Sequence, residues 1–242
     1  MVTCRLERNG DVQVLTLCDN ENRFDPDTVG AIDAALDEVE AERGRCALVT
    51  TGEGKFFSNG LALDWMMRGE AEGDPDRSGR NLEAVYAMLA RFLTFPMPTV
   101  AAVNGHWFGA GALLGLCHDR RVVRGDRGWF CMPEATMGVG IAHPLLEILR
   151  ATLPLRAFRE LLPIAKRVPG AEALALGFAD EVVDAELVLA RAVAWAEQHA
   201  TAERAAVVDI KTLMYADTIA VLRATAPGSR DHRPASHNSD NA

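Results

Sequence analysis

The 242-residue chain has no long basic run and no long hydrophobic run. It carries 25 Lys and Arg against 34 Asp and Glu, a formal net charge of -9, so a nucleic-acid backbone or an acidic membrane surface is not an expected partner. No apolar run approaches the ~18 residues of a membrane span. The start of the chain also lacks the basic-then-apolar pattern of a secretion signal. We therefore expect no nucleic-acid or membrane partner, and a cytoplasmic location.

Residues spaced as metal ligands are also missing. The five cysteines are scattered and form no C-x-x-C pair, which indicates a reducing compartment rather than a disulfide framework or a zinc site. His106, His118 and His143 show no ligand spacing, and His118 is expected at a helix end, where the helix dipole favours a cation. We expect no bound metal.

Three common catalytic or nucleotide-binding motifs are incomplete. Phe56 stands where a G-x-S-x-G nucleophile elbow around Ser58 needs its first glycine. The same Phe56 follows Lys55 where a P-loop needs Ser or Thr. Glycines from residue 109 onward follow a strand as in a dinucleotide fingerprint, but Leu114 occupies the third glycine's place. Nucleotide binding is therefore kept only as a minor alternative.

The most informative stretch that is present, residues 98–119, reads PTVAAVNGHWFGAGALLGLCHD. It predicts a buried strand over Thr99–Val103, a glycine-rich turn and an apolar helix over Ala110–Leu116. Gly109 and Gly111 at the helix start would leave backbone N–H groups open to a ligand, as anion-binding turns do. The alternative is that these glycines only permit close packing of the helix on the strand.

Two further segments stand out. Residues 56–66, FFSNGLALDWM, predict a strand end that turns sharply into a helix, with the N–H of Leu61 unpaired after the turn. A polar loop over residues 68–78 follows, long enough to be mobile or to cover a site. Glu134 follows a proline after an apolar strand, a position where a carboxylate is ordinarily exposed.

The remaining pattern predicts the overall organisation. Strands alternate with helices in the N-terminal part, beginning with a hairpin and a helix capped by Asp25, which indicates an α/β fold. From His143 the chain becomes helical, and a single helix is expected over residues 202–224. The apolar stripe of that helix must pack on the domain or on a neighbouring subunit.

Taken together, FFSNGLALDW, PTVAAVNGHWFGAGALLGLCHD and CMPEATMGVG, in this order and at these separations, resemble the crotonase family of enoyl-CoA hydratases and isomerases. The resemblance covers about residues 2–200 and is strongest to isomerases that move a β,γ double bond into conjugation. It implies a crotonase-like spiral of β-β-α units with a C-terminal helical region, assembled as a homotrimer or a dimer of trimers. Residues 1–200 are then expected to form the spiral core with its helical extension, 201–226 a C-terminal helix and 227–242 a disordered tail.

The resemblance also implies an oxyanion hole for the thioester oxygen. Its first N–H group is that of Leu61, after Gly60, and its second is that of Ala110, or of Gly111 if the register shifts by one. Two departures from the family pattern concern this region. Ala62 stands where members usually have Asp, and Ala110 interrupts a run of glycines.

The family's hydratases activate water with two glutamates; Leu113 stands at the first position and Glu134 matches the second. The single carboxylate implies that Glu134 takes a proton from Cα of a β,γ-enoyl-CoA and returns it to Cγ, while the N–H groups hold the dienolate. Leu113, Trp65 and Trp107 are expected to line the substrate pocket and to raise the pKa of Glu134.

The implied substrate is an acyl-CoA thioester, and no separate cofactor is expected because coenzyme A is part of the substrate. One alternative is an enoyl-CoA hydratase or another crotonase reaction, with water activated by Glu134 alone or with Asp64. The other is a non-catalytic homologue that binds acyl-CoA.

Overall fold

The computed structural model describes residues 3–224, so the predicted tail over 227–242 lies outside the described residues. The strands are β1 (Cys4–Asn9), β2 (Val12–Leu17), β3 (Arg23–Phe24), β4 (Ala47–Gly52), β5 (Phe56–Ser58), β6 (Gly60–Leu61), β7 (Thr99–Val103), β8 (His106–Phe108), β9 (Arg120–Arg124), β10 (Trp129–Cys131), β11 (Val168–Pro169) and β12 (Glu181–Val183). The α-helices are α1 (Pro26–Ala41), α2 (Leu63–Met67), α3 (Arg77–Leu93), α4 (Ala110–Leu116), α5 (Glu134–Met137), α6 (His143–Thr152), α7 (Leu155–Leu161), α8 (Gly170–Ala175), α9 (Val188–His199), α10 (Arg204–Met214) and α11 (Ala216–Ala224).

The larger sheet has the strand order β1-β2-β4-β7-β9-β12. β1 and β2 form the predicted antiparallel hairpin, whereas the other neighbouring strands of this sheet pair in parallel. Every residue of β2 and of β7 is buried, which explains why both segments are mostly apolar, with Thr in both strands and Gln13 in β2 as the exceptions. Helix α9 covers one face of this sheet through Val188, Ala192 and Ala196.

A smaller sheet has the order β11-β10-β8-β5, in which β5, β8 and β10 are parallel and β11 is antiparallel. Strands β4, β7 and β9 of the larger sheet are each followed along the chain by a strand of the smaller one, and β8 and β10 then lead into helices. This repeated β-β-α unit confirms the predicted α/β spiral with a C-terminal helical region.

Local sequence signals account for the start of α1. The Oδ1 atom of Asp25 accepts a hydrogen bond from the N–H of Thr28 at 2.8 Å, and Pro26 occupies the first turn of α1.

Helix α3 starts at Arg77, inside the region expected to be a loop. The preceding turn is held by ion pairs from Arg77 to Glu72 at 2.7 Å and from Arg80 to Asp74 at 2.6 Å.

The C-terminal region differs from the single helix that the sequence predicts. It contains α10 and α11, separated at Tyr215, whose φ of -112° and ψ of 20° lie outside the helical range. Lys211 fixes α10 to the core: its Nζ atom lies 2.6 Å from Oδ2 of Asp119 and 2.9 Å from the carbonyl oxygen of Met97. Burial lowers the pKa of Lys211, and Asp119 opposes that shift. The domain boundary at residue 200 stays a prediction.

Candidate active site

Three parallel strands of the smaller sheet lead to the predicted site residues. β5 leads to Gly60, β8 to Gly109 and β10 to Glu134. Phe108 is in register with Cys131, and the N–H of Gly109 donates to the carbonyl oxygen of Cys131 at 2.9 Å. Because the carboxyl ends of parallel strands meet at one edge of a sheet, the fold brings these three turns to the same edge.

Gly60 packs directly on the start of α4. Its φ is +80°, and a Cβ atom at this position would lie 2.7 Å from the carbonyl oxygen of Phe108 and 2.9 Å from the backbone nitrogen of Ala110. Ala110 is the first residue of α4, where an N–H group has no partner within the helix. Leu61 is paired with Phe24 of β3, and the next N–H, of Ala62, donates to Phe24 O at 3.2 Å. The two turns predicted to form an oxyanion hole are therefore adjacent.

Gly111 and Ser58 have packing roles at this contact. A Cβ on Gly111 would overlap the carbonyl oxygen of Ser58 and lie 2.6 Å from its Oγ atom, so the close-packing explanation holds for Gly111. The fully buried Ser58 hydroxyl donates to Asn22 O at 2.6 Å and accepts from the N–H of Gly60 at 3.1 Å. Ser58 thus shapes the Gly60 turn, consistent with the incomplete nucleophile motif.

Glu134 begins α5 and is half-buried at a cavity of about 520 Å³. Within the described part of the chain, its Oε2 atom is buried and has no hydrogen-bond partner. Burial raises the pKa of Glu134, and a hydrogen bond from its own N–H opposes the rise. A desolvated carboxylate facing a cavity is typical of a general acid/base. The larger apolar residues that line this cavity are Val139, Ile141, Leu146, Phe158, Leu162 and Pro163.

Leu113 and Trp107, two of the residues expected to contact substrate, are not among the residues that line the Glu134 cavity. Leu113 is fully buried within α4, and Trp107 is 1% exposed, with ring centroids 5.1 Å from Phe130 and 5.9 Å from Phe178. Both side chains fill the core and do not line the cavity. Their contact with a substrate stays a prediction.

Trp65 is also absent from the cavity lining. It is half-buried, and the Arg77 guanidinium lies over its ring at 4.7 Å. Its predicted substrate contact likewise stays a prediction.

The sequence did not identify the cavity walls because they belong to α5, α6, α7 and the segments beside them. Their apolar spacing is also that of ordinary core helices. No local signal distinguishes a cavity wall from a core position.

Asp64, the second carboxylate considered for water activation, faces solvent. Its side chain is 79% exposed and pairs with Arg23 at 3.1 Å, and it does not line the Glu134 cavity. Ala62, which stands where the family usually has Asp, is buried at the N-terminus of α2.

His118 does not act as a cation at a helix end. It is 2% exposed, its Nδ1 atom lies 2.8 Å from Leu114 O, and its Nε2 atom lies 2.8 Å from Oγ1 of Thr50. Burial lowers the pKa of His118 to about 4, so the ring is neutral near pH 7 and the dipole interpretation is wrong. Within residues 3–224, no group of three or more His, Cys, Asp or Glu side chains is placed to hold a metal ion.

Comparisons with known proteins give a consistent result. A family model described as enoyl-CoA hydratase/isomerase matches residues 7–232. The peroxisomal enoyl-CoA delta isomerase 2 of Arabidopsis thaliana is 40% identical over 181 residues, which are 73% of this chain and 75% of that protein. Among solved structures, an enoyl-CoA hydratase from Mycobacterium ulcerans is 28% identical with a TM-score of 0.83, covering 92% of this chain and 96% of that one. The human mitochondrial delta3-delta2-enoyl-CoA isomerase shares the fold, with a TM-score of 0.81 at 24% identity over 92% of this chain and 86% of that one.

Proposed function

The chain belongs to the enoyl-CoA hydratase/isomerase family, the crotonases, and on that premise we propose that it is an enoyl-CoA isomerase that moves a β,γ double bond into conjugation with the thioester. One observation carries this proposal. Glu134 is the only acidic residue among the described residues that line the cavity. Leu113, fully buried in the core, stands where the family's hydratases have their other glutamate. A single carboxylate can take a proton from one carbon of the substrate and return it to another. The family's hydratases instead use two glutamates to activate water.

In the proposed reaction, the Glu134 carboxylate removes a proton from Cα of the substrate. The electron pair of the broken C–H bond moves into the thioester carbonyl and forms a dienolate. The protonated Glu134 then donates the same proton to Cγ, the double bond moves to the α,β position, and the enzyme returns to its starting state. A positioned base of this kind contributes roughly 100 to 10,000-fold in rate.

The dienolate oxygen is proposed to accept hydrogen bonds from the N–H groups of Leu61 and Ala110. Support comes from the packing of Gly60 against the start of α4, where a Cβ on Gly60 would be 2.9 Å from the nitrogen of Ala110 and 3.4 Å from that of Gly111. Both backbone nitrogens therefore lie beside the Gly60 turn, so Gly111 stays the alternative second donor. One oxyanion donor is typically worth about 100 to 1,000-fold in rate.

Two alternatives give different products. A hydratase would add water to a conjugated enoyl-CoA with Glu134 alone, since Asp64 is exposed and engaged by Arg23. An acyl-CoA-binding homologue would retain thioesters without turnover. Both alternatives use the same cavity as the proposed isomerase. Assays with different substrates are therefore needed to distinguish the three activities.

The deciding experiment is a panel of β,γ- and α,β-enoyl-CoAs of several chain lengths, followed by ultraviolet absorbance and mass spectrometry. An isomerase converts the β,γ substrates to conjugated products of unchanged mass. Addition of water to the α,β substrates at a higher rate than isomerisation of the β,γ substrates would contradict the proposal and indicate a hydratase. Binding of the thioesters without any product would indicate a non-catalytic binding protein.

No separate cofactor enters this proposal, because coenzyme A arrives with the substrate; the cytoplasmic location stays a prediction. No helix within residues 3–224 is long and apolar enough to cross a membrane.

We also propose a homotrimer or a dimer of trimers. Ile210, Leu213 and Met214, which are 59%, 79% and 65% exposed on α10, support subunit contacts there. Light scattering should give a multiple of three subunits, and Leu213→Glu should lower that mass. A monomeric wild-type protein would contradict this assembly.

A further inference from the structure

The cavity that contains the proposed base also has an unpaired positive charge on its lining. Arg150 and Arg159 both line it. The Nη1 atom of Arg150 lies 2.9 Å from Oε1 of Glu147, and Arg156, on the same helix as Arg159, pairs with Glu160 at 2.7 Å. The guanidinium of Arg159, an exposed residue, makes no hydrogen bond or ion pair with the described part of the chain.

The cavity arginines do not lower the pKa of the proposed base. Burial raises the pKa of Glu134, and only the residue's own N–H opposes the rise. A guanidinium in contact with the carboxylate would lower its pKa, and neither Arg150 nor Arg159 forms an ion pair with Glu134 in the described part of the chain. The lining therefore combines a base, apolar walls such as Phe158, and a separate cation.

We propose that Arg159 is a specificity-determining residue that binds an anionic group of the thioester substrate, outside its reacting carbons. This inference rests on the proposed function, which places the α and γ carbons at Glu134. The planar guanidinium presents paired N–H donors that match a carboxylate or a phosphate. The cavity volume of about 520 Å³ is in the usual range for a small-molecule site, which leaves room for substrate beyond those carbons.

The anionic group has two sources in an acyl-CoA: a carboxylate at the far end of the acyl chain, or a phosphate of the coenzyme A part. Four substrates separate them. Two β,γ-enoyl acyl chains of equal length are used, one with a terminal methyl group and one with a terminal carboxylate. Each acyl chain is prepared as the coenzyme A ester and as the phosphate-free pantetheine ester. Each is assayed with wild type, Arg159→Gln and the matched control Arg156→Gln, which removes a paired arginine of the same helix outside the cavity lining.

A distal carboxylate predicts that Arg159→Gln lowers kcat/KM about tenfold for both carboxylate substrates and leaves both methyl substrates unchanged, as expected for loss of one charged hydrogen bond. A phosphate predicts an equal loss for both coenzyme A esters and none for the pantetheine esters. Either pattern supports the proposal, provided that Arg156→Gln matches wild type.

The proposal is overturned if Arg159→Gln behaves like Arg156→Gln on all four substrates, or if it slows all four equally. Failure of the proposed function gives a different result, namely that wild type isomerises none of them. In that case, binding of the four thioesters is measured by calorimetry. A loss of affinity in Arg159→Gln for only the carboxylate substrates, or for only the coenzyme A esters, still supports anion binding. Equal affinities of Arg159→Gln and Arg156→Gln for all four thioesters overturn it.

Discussion

Desolvation of Glu134 is what suits this residue to remove a proton from carbon. A carboxylate in water is a weak base, whereas burial disfavours its charged form and raises its basicity. In this chain burial raises the pKa of Glu134, and the buried Oε2 atom has no partner in the described residues. The residue is thus held ready to exchange a proton with a ligand in the cavity.

The first prediction concerns the pH dependence of isomerisation. Because the base must be ionised, kcat/KM should fall as the pH decreases through the raised pKa of Glu134 and should level off above it. The measurement is a profile of kcat/KM for a β,γ-enoyl-CoA between about pH 4 and pH 8, over the range where wild type stays folded. A descending limb at or below the ordinary glutamate value of 4.5 would contradict the role of burial.

At the scale of elements, the site depends on contacts between turns that are distant in sequence. Gly60 ends the turn after β5 and abuts the first residue of α4, about fifty residues later in the chain. The hydrogen bond from Gly109 to Cys131 adds the strand that leads to Glu134. A change at Gly60 therefore acts on both proposed oxyanion donors at once.

The second prediction is that Gly60→Ala lowers kcat by about 100-fold or more, as expected for a displaced oxyanion donor. The added Cβ would lie 2.7 Å from Phe108 O in a left-handed backbone, so the free energy of unfolding should also fall by about 1 to 2 kcal/mol. Steady-state kinetics and urea unfolding provide both readings.

Gly30→Ala is the matched control for this substitution. A Cβ on Gly30 would have nothing within 4 Å, and Gly30 is exposed on α1, so kcat should not change and stability should rise by up to about 1 kcal/mol. Unchanged kcat in Gly60→Ala would contradict the proposed geometry.

The sequence predicted elements that carry their own signals. β7 and α4 have the predicted bounds, and α1 starts after its Asp25 cap, because burial on both faces, glycine turns and capping are local properties. β8 was missed, since a three-residue strand has no measurable period and is defined by its neighbours β5 and β10. The break at Tyr215 was missed because neither Pro nor Gly marks it.

The site was predictable from motifs only in part. Gly60 and Ala110, which the motifs single out, are adjacent in the structure, and burial raises the pKa of Glu134, whereas the roles of these residues stay predictions. The cavity walls and Arg159 could not be predicted, because later helices supply them and their spacing is that of ordinary amphipathic helices. Trp107, an aromatic residue near a motif, packs in the core against Phe130, and its predicted contact with substrate stays a prediction.

At the scale of the whole molecule, a buried lysine paired with a partly exposed aspartate ties the C-terminal helices to the spiral. Lys211 is 7% exposed, and its partner Asp119 also accepts a hydrogen bond from the N–H of Thr99 at 2.8 Å. This contact joins α10 to the start of β7 and the end of the central motif. Sequence gives no sign of it because the two residues are 92 positions apart.

The third prediction is that Lys211→Met destabilises the protein by about 1.5 to 3 kcal/mol, because it removes the charged hydrogen bonds of the buried ammonium group to Met97 O and to Asp119. Urea unfolding measures the change. Lys166→Met is the control: Lys166 pairs with Glu172 on the surface, with 41% and 33% of the two side chains exposed, and should cost less than about 1 kcal/mol. Equal losses in the two variants would show that the contacts of Lys211 do not hold the C-terminal region.

Glu134→Gln tests the central claim most directly, through turnover of a β,γ-enoyl-CoA. The amide keeps the shape of the side chain but cannot carry the proton, so kcat should fall by roughly 100 to 10,000-fold. Above the raised pKa of Glu134 the substitution also removes a desolvated charge, so thermal unfolding should show a protein at least as stable as wild type near pH 7. A folded Glu134→Gln protein that isomerises the substrate at the wild-type rate would contradict the account.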